Sequence, residues 1–422
     1  MKSEYAGLFV DAGSVGADDY TRGRAPSASK VGVRAVDDST LEVRLLQPFA
    51  ALPDLAALPV AAPVRPDVVA ANPDGWAQDP STLTGNGPFA ISEWLHGEHI
   101  TLVPNPEYLA HAGWPRPTLS DVTIAMATNP EEDFAAYLQG RRDWVQVPDA
   151  EVNQVLNDPA RAPQARPATE LATFWVQVNT TRPPLDNVLV RRALARGIDR
   201  GALVRDLAAG VSVPTTSIIP PGMPGFQSGL GHELRLDAQG GRALLAQAGF
   251  GGGAPRLTFS FAMAPDNLRR AHYLQSQWSE HLGVQVELKG METADYEQAM
   301  ASGAYDLAFG GWAADYPDPQ DWFAMLFGCN GAYNRSGYCN PAFDRLVARA
   351  DTSARQDERP RLYEQAQILL TQDAPVLPLF VRGQLVLGSP WVQSVDGGPL
   401  PITPFDEYPG SLFLDKVQIL PH

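Results

Sequence analysis

Alternating apolar and polar residues predict a short strand early in the chain. Leu41, Val43 and Leu45 alternate with charged residues, as expected of a half-buried strand. Residues 53–88 are rich in Pro, Ala and Asn, which predicts a connection built mostly of loops. A domain boundary is expected near residue 66.

The segment GPFAISEWLHGEHITLVPNPEY, residues 87–108, has the pattern of an antiparallel hairpin. Apolar residues alternate on both sides of a polar His-Gly-Glu turn. His96 and His99 flank Glu98 there, an arrangement that is conceivable for a metal site but also common at a hairpin tip. We favour the hairpin tip and predict no metal site.

Residues 183–210 predict a helix with one buried face. Asp186 or Asn187 is a suitable N-terminal cap, and apolar residues follow at four-residue spacing. The segment is also rich in arginine. This suggests either anion binding or, as we prefer, a solvated face with local aspartate partners.

The most informative pattern alternates strands with helices. Strands are predicted at 257–261, 284–288 and 305–311, and helices at 268–282 and 296–300. Such alternation forms a parallel sheet with right-handed crossovers, and these sheets bind ligands beyond the carboxyl ends of their strands. A ligand site is therefore expected just after the third strand.

The sequence GGWAADYPDP, residues 310–319, occupies that position. Its glycines permit close approach of a backbone, and Trp312 offers a large amphipathic surface. A carboxylate here, Asp315, can be a general acid or base, a metal ligand or a counter-charge for an ammonium group. It can also simply cap the turn into Tyr316 and Pro317, and the pattern alone favours that interpretation.

Further along, a helix is predicted with Leu362, Ala366 and Leu370 on one face. The extended segment APVLPLF, residues 374–380, follows it, and its prolines favour an edge or crossing strand. The glycine-rich GFGGGAP, residues 249–255, comes after a helical pattern and is interpreted as a helix stop.

Composition narrows the class of protein. With 422 residues, 44% of them apolar, the chain is long enough for two or three domains. The formal net charge of −16, without a Lys/Arg cluster, argues against a nucleic-acid partner. The sequence contains no apolar run of about 18 residues, the length that a membrane-spanning helix requires. The N-terminal residues lack the apolar core of a secretory signal.

The cysteines leave two possibilities open. Cys329 and Cys339 enclose a polar, turn-rich segment that can bring two thiols within bonding distance. They form either a disulfide, which indicates an oxidising compartment, or two reduced thiols of a cytosolic protein.

Signatures of common enzyme families are absent from the sequence. It contains no G-x-S-x-G, H-E-x-x-H, P-loop or strand-bound G-x-G-x-x-G motif. A glycoside hydrolase needs two carboxylates across a scissile bond, and the spacing of Asp315, Asp318 and Asp321 along a Pro-broken loop does not favour that arrangement. We predict a non-enzymatic protein without a cofactor.

These segments together resemble the family 5 extracellular solute-binding proteins of ABC transporters, most closely the oligopeptide- and dipeptide-binding branch. The resemblance extends from about Tyr5 to the C-terminus. It rests on the ordered motifs GVRAVDDSTLEVRLLQPF, TGNGPFAISEWLHGEHITLVPNPEY, VNTTRPPLDNVLVRRALARGIDRGALV, GRALLAQAGF, GGWAADYPDPQDWF, YNRSGYCNPAFDRLVARA and QDAPVLPLF. Each motif is weak alone, and the set in this order is specific.

The resemblance implies an α/β fold of two lobes, of the periplasmic-binding-protein type, joined by a hinge that the chain crosses twice. Residues 1–66 would be the remainder of a small accessory domain, 67–171 the first lobe, 172–388 the second lobe, and 389–422 a return into the first lobe. It also implies a monomer in the periplasm or at the cell surface. Such a protein binds peptides between its lobes and delivers them to a membrane permease; an oligosaccharide, a nickel complex or haem are alternative solutes.

The resemblance also implies a set of ligand-binding residues. Asp315 is expected to hold the free α-amino group of a peptide through a charge-assisted hydrogen bond. The backbone of Gly311, Trp312 and Ala313 is expected to pair with the peptide like an added strand. The result would be broad tolerance of peptide sequence with a requirement for a free N-terminus.

Further implied residues support or modify this site. Trp175 and Tyr316 are expected to line or support it. Phe309 stands where some peptide-binding relatives have an arginine for the ligand carboxylate, so an apolar contact is expected instead. The family's signal peptide and N-terminal strands are not found here, so we expect a misassigned start codon or a truncated product; a remnant that no longer transports is the alternative.

Overall fold

The computed structural model describes residues 10, 12–111, 113–126, 129–207, 210–355, 357–400, 402 and 412–422. Contacts within the chain group it into two units. Unit 1 comprises residues 1–62 and 171–382, and unit 2 comprises residues 63–170 and 383–422. The division into a separate accessory domain and two lobes stays a prediction.

Unit 1 is built on a mixed sheet. The strands of unit 1 are β1 (Val33–Asp37), β2 (Thr40–Val43), β8 (Val213–Pro214), β9 (Arg256–Ala262), β10 (Gln285–Met291) and β11 (Leu307–Ala313). Two further strands, β7 (Ala165–Val178) and β12 (Val376–Gly388), have residues in both units. The strand order is β10-β9-β11-β7-β12, with β8 paired to β12 and β1 paired separately to β2. β9 is parallel to β10 and β11, whereas β11 is antiparallel to β7. The predicted parallel unit of strands and helices is confirmed.

Unit 1 also contains helices. They are α1 (Ala17–Thr21), α2 (Leu52–Ala56), α7 (Val188–Arg196), α8 (Arg200–Leu207), α9 (Ala238–Leu245), α10 (Pro265–Leu282), α11 (Thr293–Ser302), α12 (Gln320–Phe327), α13 (Pro341–Thr352) and α14 (Arg359–Asp373). Val190 and Leu194 of α7 are fully buried, and the Leu194 carbonyl accepts the indole N–H of buried Trp278 at 2.9 Å. The apolar face predicted for this helix therefore packs against α10 in the main core.

Unit 2 contains shorter elements. They are α3 (Pro66–Ala71), β3 (Phe89–Leu95), β4 (His99–Pro104), α4 (Pro106–Leu109), β5 (Val122–Ala125), α5 (Pro130–Leu138), β6 (Trp144–Gln146), α6 (Val152–Asn157), β13 (Val392–Ser394) and β14 (Val417–Ile419). β3, β4 and β5 form an antiparallel sheet, which confirms the predicted hairpin. The end of β12 pairs with β6, so the segment predicted to be an edge or crossing strand is the start of a strand that continues from unit 1 into unit 2.

Two predicted segments differ from the structure. The predicted helical segment forms two helices, α7 and α8, rather than one. The first ends at Arg196 with Gly197 as its C-terminal cap, and a Cβ at Gly197 would lie 2.7 Å from a Leu282 methyl group. The loop-rich region 53–88 contains most of α2 and all of α3. Both have proline in their first turn, where its fixed φ favours a helix start.

Candidate ligand-binding site

The last residues of β11 have an open main-chain edge. On one side β11 pairs with β7 along its whole length, from Leu307 opposite Val178 to Ala313 opposite Ala172. On the other side it pairs with β9 only at Leu307 and Ala308. Among the described residues, the stretch 309–313 therefore has no strand neighbour on that second side.

The register shows which backbone groups lie on the open edge. The residue after β11, Ala314, donates its N–H to the Leu171 carbonyl at 2.9 Å, so it faces β7. Because backbone groups alternate between the two edges of a strand, Gly311 and Ala313 face the other way. Phe309 shares their direction, and its carbonyl accepts the Tyr296 hydroxyl. The N–H and C=O groups of Gly311 and Ala313 can thus pair with an extended ligand.

Two glycines allow β11 to lie against the aromatic side chains of β7. A Cβ at Gly310 would lie 2.4 Å from the indole nitrogen of Trp175, and a Cβ at Gly311 would lie 2.8 Å from a ring carbon of Phe174. Such distances are shorter than van der Waals contact. The adjacent glycines are therefore required for close strand packing.

The loop after β11 is organised by Asp321, the second residue of α12. Its Oδ2 atom accepts the indole N–H of Trp312 at 3.0 Å and the backbone N–H of Asp315 at 3.0 Å. Asp321 is fully buried, whereas Trp312 and Asp315 are partly exposed. One buried oxygen thus joins the aromatic and acidic residues predicted to meet the ligand.

The charge state of Asp321 follows from its surroundings. Burial, followed by the negative charge of Asp315, raises the pKa of the Asp321 carboxyl well above its usual value, although the two N–H donors oppose this shift. No ion pair to Asp321 occurs within the described part of the chain. Burial and the neighbouring negative charge therefore favour the neutral form of Asp321 to a higher pH than is usual for an aspartate.

Asp318, on the same loop, has a different environment. Its carboxylate lies 2.6 Å from the guanidinium of Arg359, and both side chains are buried. Tyr363, on the same helix as Arg359, donates its hydroxyl to Asp351 at 2.6 Å. These contacts tie the loop to α13 and α14.

Two of the other predicted site residues, Trp175 and Tyr316, are buried. Trp175 is 3% exposed; its indole N–H donates to Gln177, and its ring contacts Trp322 and Phe327. Tyr316 is 2% exposed, and its hydroxyl donates to Gln320. Both side chains thus lie in the interior behind the loop.

Phe309 and Trp312 have aromatic neighbours of their own. Phe309 is partly buried and packs edge-on against Phe259, with ring centroids 4.8 Å apart. Trp312 contacts the exposed ring of Tyr333, at a centroid distance of 5.3 Å. Trp312 and Tyr333 therefore form an accessible aromatic surface beside the open edge of β11.

The cysteines are joined in a disulfide, Cys329–Cys339, with their Cα atoms 4.4 Å apart. In the hairpin of unit 2, His99 contacts Glu93 and His96 contacts the Gln78 carbonyl. No group of three or more His, Cys, Asp or Glu side chains that could hold a metal ion occurs among the described residues. Within the same residues, no helix has the length and apolar character needed to cross a membrane.

Sequence reasoning did not assign Asp321 a role in ligand binding. It considered this residue only as a candidate acid of a hydrolase. The available signal was an aspartate in the first turn of the helix sequence QDWFAMLF, which is apolar from its third residue onward. An acidic residue there requires polar partners, because its helix is buried on nearly all sides.

Comparison with known proteins decides the family. A model of the bacterial extracellular solute-binding proteins, family 5, middle region, matches residues 4–334. The chain belongs to this family. The resemblance inferred from the ordered motifs is confirmed, and the family is one of solute-binding proteins rather than of enzymes.

Individual relatives agree with this family assignment. The periplasmic oligopeptide-binding protein OppA of Salmonella typhimurium is 28% identical, over 100% of this chain and 76% of the relative. The probable deoxycholate-binding periplasmic protein YgiS of Escherichia coli K12 is 29% identical, over 92% of this chain and 72% of the relative. Both relatives are named as periplasmic proteins.

Solved structures show the same fold. The unliganded open form of the periplasmic murein tripeptide binding protein MppA matches with a TM-score of 0.84 at 25% identity, over 100% of this chain and 79% of that structure. The predicted fold class, a mixed α/β fold of the two-lobed periplasmic-binding-protein type, is confirmed by this match.

Proposed function

We propose that the protein binds peptides at the end of β11 and delivers them to the membrane permease of an ABC importer, outside the cytoplasm and without catalysing a reaction. Asp315 receives the free α-amino group of the peptide. Gly311 and Ala313 pair with the peptide main chain, and Trp312 with Tyr333 contacts its side chains.

The main support is the open edge of β11, which leads directly to an acidic residue on the following loop. Main-chain pairing does not distinguish side chains, so it suits a binder of varied peptides. A carboxylate supplies the specificity for a positively charged end. The similarity to proteins named for binding oligopeptides and a murein tripeptide supports the same ligand class.

Calorimetric titration with trialanine and N-acetyl-trialanine tests this function. We expect acetylation to weaken binding by about 10- to 100-fold, because a charge-assisted hydrogen bond to Asp315 is lost. D315N should weaken binding of the free peptide by a similar factor and add little to the effect of acetylation. D295N, at an exposed aspartate of α11, is the matched control. Equal affinity of the wild-type protein for both peptides would contradict the role of Asp315.

A different solute is the second candidate, and the similarity to a relative named as a probable deoxycholate-binding protein favours it. Mass spectrometry of small molecules that co-purify with the protein separates the two candidates. Recovery of a bile acid, a sugar or a metal complex instead of peptides would replace the first proposal.

A further inference from the structure

We propose that Asp321 is a positioning residue of the ligand site, whose single atom Oδ2 fixes both the Trp312 side chain and the Asp315 backbone. The choice of a peptide as the test ligand rests on the proposed function. The inference about Asp321 itself rests on the geometry of the loop. Asp321 is fully buried, so it acts through these two residues rather than by touching a ligand.

The geometry makes Oδ2 a shared anchor. Its two donors come from residues that Ala313 and Ala314 separate in the sequence. One is the indole N–H of Trp312 and the other is the main-chain N–H of Asp315, each at 3.0 Å. The acceptor itself is held by the first turn of α12, where the N–H of Asp321 donates to the Asp318 carbonyl at 3.2 Å. The aromatic surface and the acidic residue therefore have a common reference point in a rigid element.

Asp321 performs this role as a neutral acid. The titratable groups that face it are Asp315, Asp318 and the phenol of Tyr316, and none of these supplies positive charge. Its second oxygen, Oδ1, is buried and has no hydrogen-bond partner among the described residues. An ionised carboxylate with one unsatisfied buried oxygen is much less favourable than a neutral carboxyl group in the same place. A second negative charge therefore does not compete with Asp315.

A neutral acceptor can be replaced by an amide, and this distinguishes a positioning role from a charged one. Asparagine keeps the oxygen that accepts both hydrogen bonds, whereas leucine has a similar size and removes it. D321L leaves two buried or half-buried N–H donors without their acceptor. We expect D321L to weaken binding of trialanine by about 10- to 100-fold. D321N should keep the affinity for trialanine within about threefold of wild type.

Two spectroscopic measurements test the inference without any peptide. The NMR signal of the Trp312 indole N–H, assigned with W312F, should shift in D321L and stay near its wild-type position in D321N. The infrared difference spectrum of the wild-type protein minus D321N near neutral pH should contain the band of one protonated carboxyl group, since any other protonated acid contributes equally to both spectra.

The outcomes separate this inference from the proposed function. An unchanged Trp312 indole signal in folded D321L, or wild-type affinity of that variant, would overturn the positioning role. If D321L fails to fold, the infrared band and the D321N indole signal decide, and absence of the band would overturn the neutral state. If the wild-type protein binds no peptide, the proposed function fails while these two signals still decide the role of Asp321.

Discussion

A buried aspartate can be stabilised by a cation or by losing its charge, and Asp318 and Asp321 illustrate these two solutions. Asp318 is paired with Arg359, whereas Asp321 accepts two N–H donors and has a pKa raised by burial. The pair at Asp318 is structural, since it joins the loop to α14. The carboxyl group of Asp321 serves the site, since it holds Trp312 and Asp315.

Removing Arg359 should be strongly destabilising. R359M leaves Asp318 buried without its cation, and we expect the free energy of unfolding to fall by about 3–5 kcal/mol. The double variant D318N/R359M should lose less, because no unpaired charge remains. Urea unfolding at pH 7 measures both. The exposed pair of Arg269 with Asp266 provides the control, since R269M should cost less than about 1 kcal/mol. Similar losses in R359M and R269M would show that burial of the pair is unimportant.

At the scale of elements, β11 combines a paired edge with an open one. The paired edge needs glycine at two positions because the rings of Trp175 and Phe174 occupy the space of a side chain. The open edge begins where β9 stops pairing, after Ala308. The same strand is therefore anchored in the sheet and available to a ligand.

G310A tests the close packing of β11 on β7. A Cβ would clash with the Trp175 indole, so we expect a loss of about 1–3 kcal/mol in the free energy of unfolding. G252A is the matched control, because no atom lies within 4 Å of a Cβ at Gly252; its effect should stay within about 0.5 kcal/mol. Urea unfolding followed by circular dichroism gives both values. Equal stability of G310A and G252A would show that the strands can separate without cost.

Local sequence patterns predicted the elements around this strand well. The alternation that produced β9, α10, β10, α11 and β11 is strong because each element has a clear period of two or of about 3.6 residues. The same reasoning merged α7 with α8, although Gly197, the C-terminal cap of α7, separates them. A Cβ at this position would lie 2.7 Å from a methyl group of Leu282, a distant part of the chain.

The site was predictable only where a local motif carries it. The motif GGWAADYPDP and the family resemblance directed attention to Asp315 and Trp312. The pairing of Asp318 with Arg359 was not predictable, because these residues are 41 positions apart in the sequence and meet only when α14 packs against the loop. Tertiary contacts of this kind leave no periodic signal.

At the scale of the whole molecule, the predicted ligand residues and the buried acidic groups belong to the same unit. Asp315, Asp321, Asp318 and Asp351 all lie in unit 1. The formal net charge of −16 adds general repulsion between carboxylates at high pH. Stability against pH therefore contains a general contribution from surface charge and a specific one from the buried groups.

The specific contribution of Asp351 can be isolated. Burial, with a smaller contribution from Asp318, raises the pKa of Asp351 to about 7, while the Tyr363 hydroxyl and Arg359 oppose the shift. The unfolded chain releases this proton near pH 3.9, so the native state binds more protons between about pH 4 and 7. The stabilisation is complete at the acidic end of this range and is lost as pH rises.

D351N removes this titration and should flatten the stability profile. We expect the free energy of unfolding of the wild-type protein to fall by roughly 2–4 kcal/mol relative to D351N between about pH 4 and 7.5, with the two profiles parallel on either side. D295N, at an exposed position, should keep the wild-type profile because it leaves the buried acids unchanged. Urea unfolding across this pH range supplies the measurement. If D351N and the wild-type protein have parallel profiles throughout, Asp351 is ionised in the native state, and the cation of Arg359 rather than proton uptake stabilises both acids, Asp351 and Asp318.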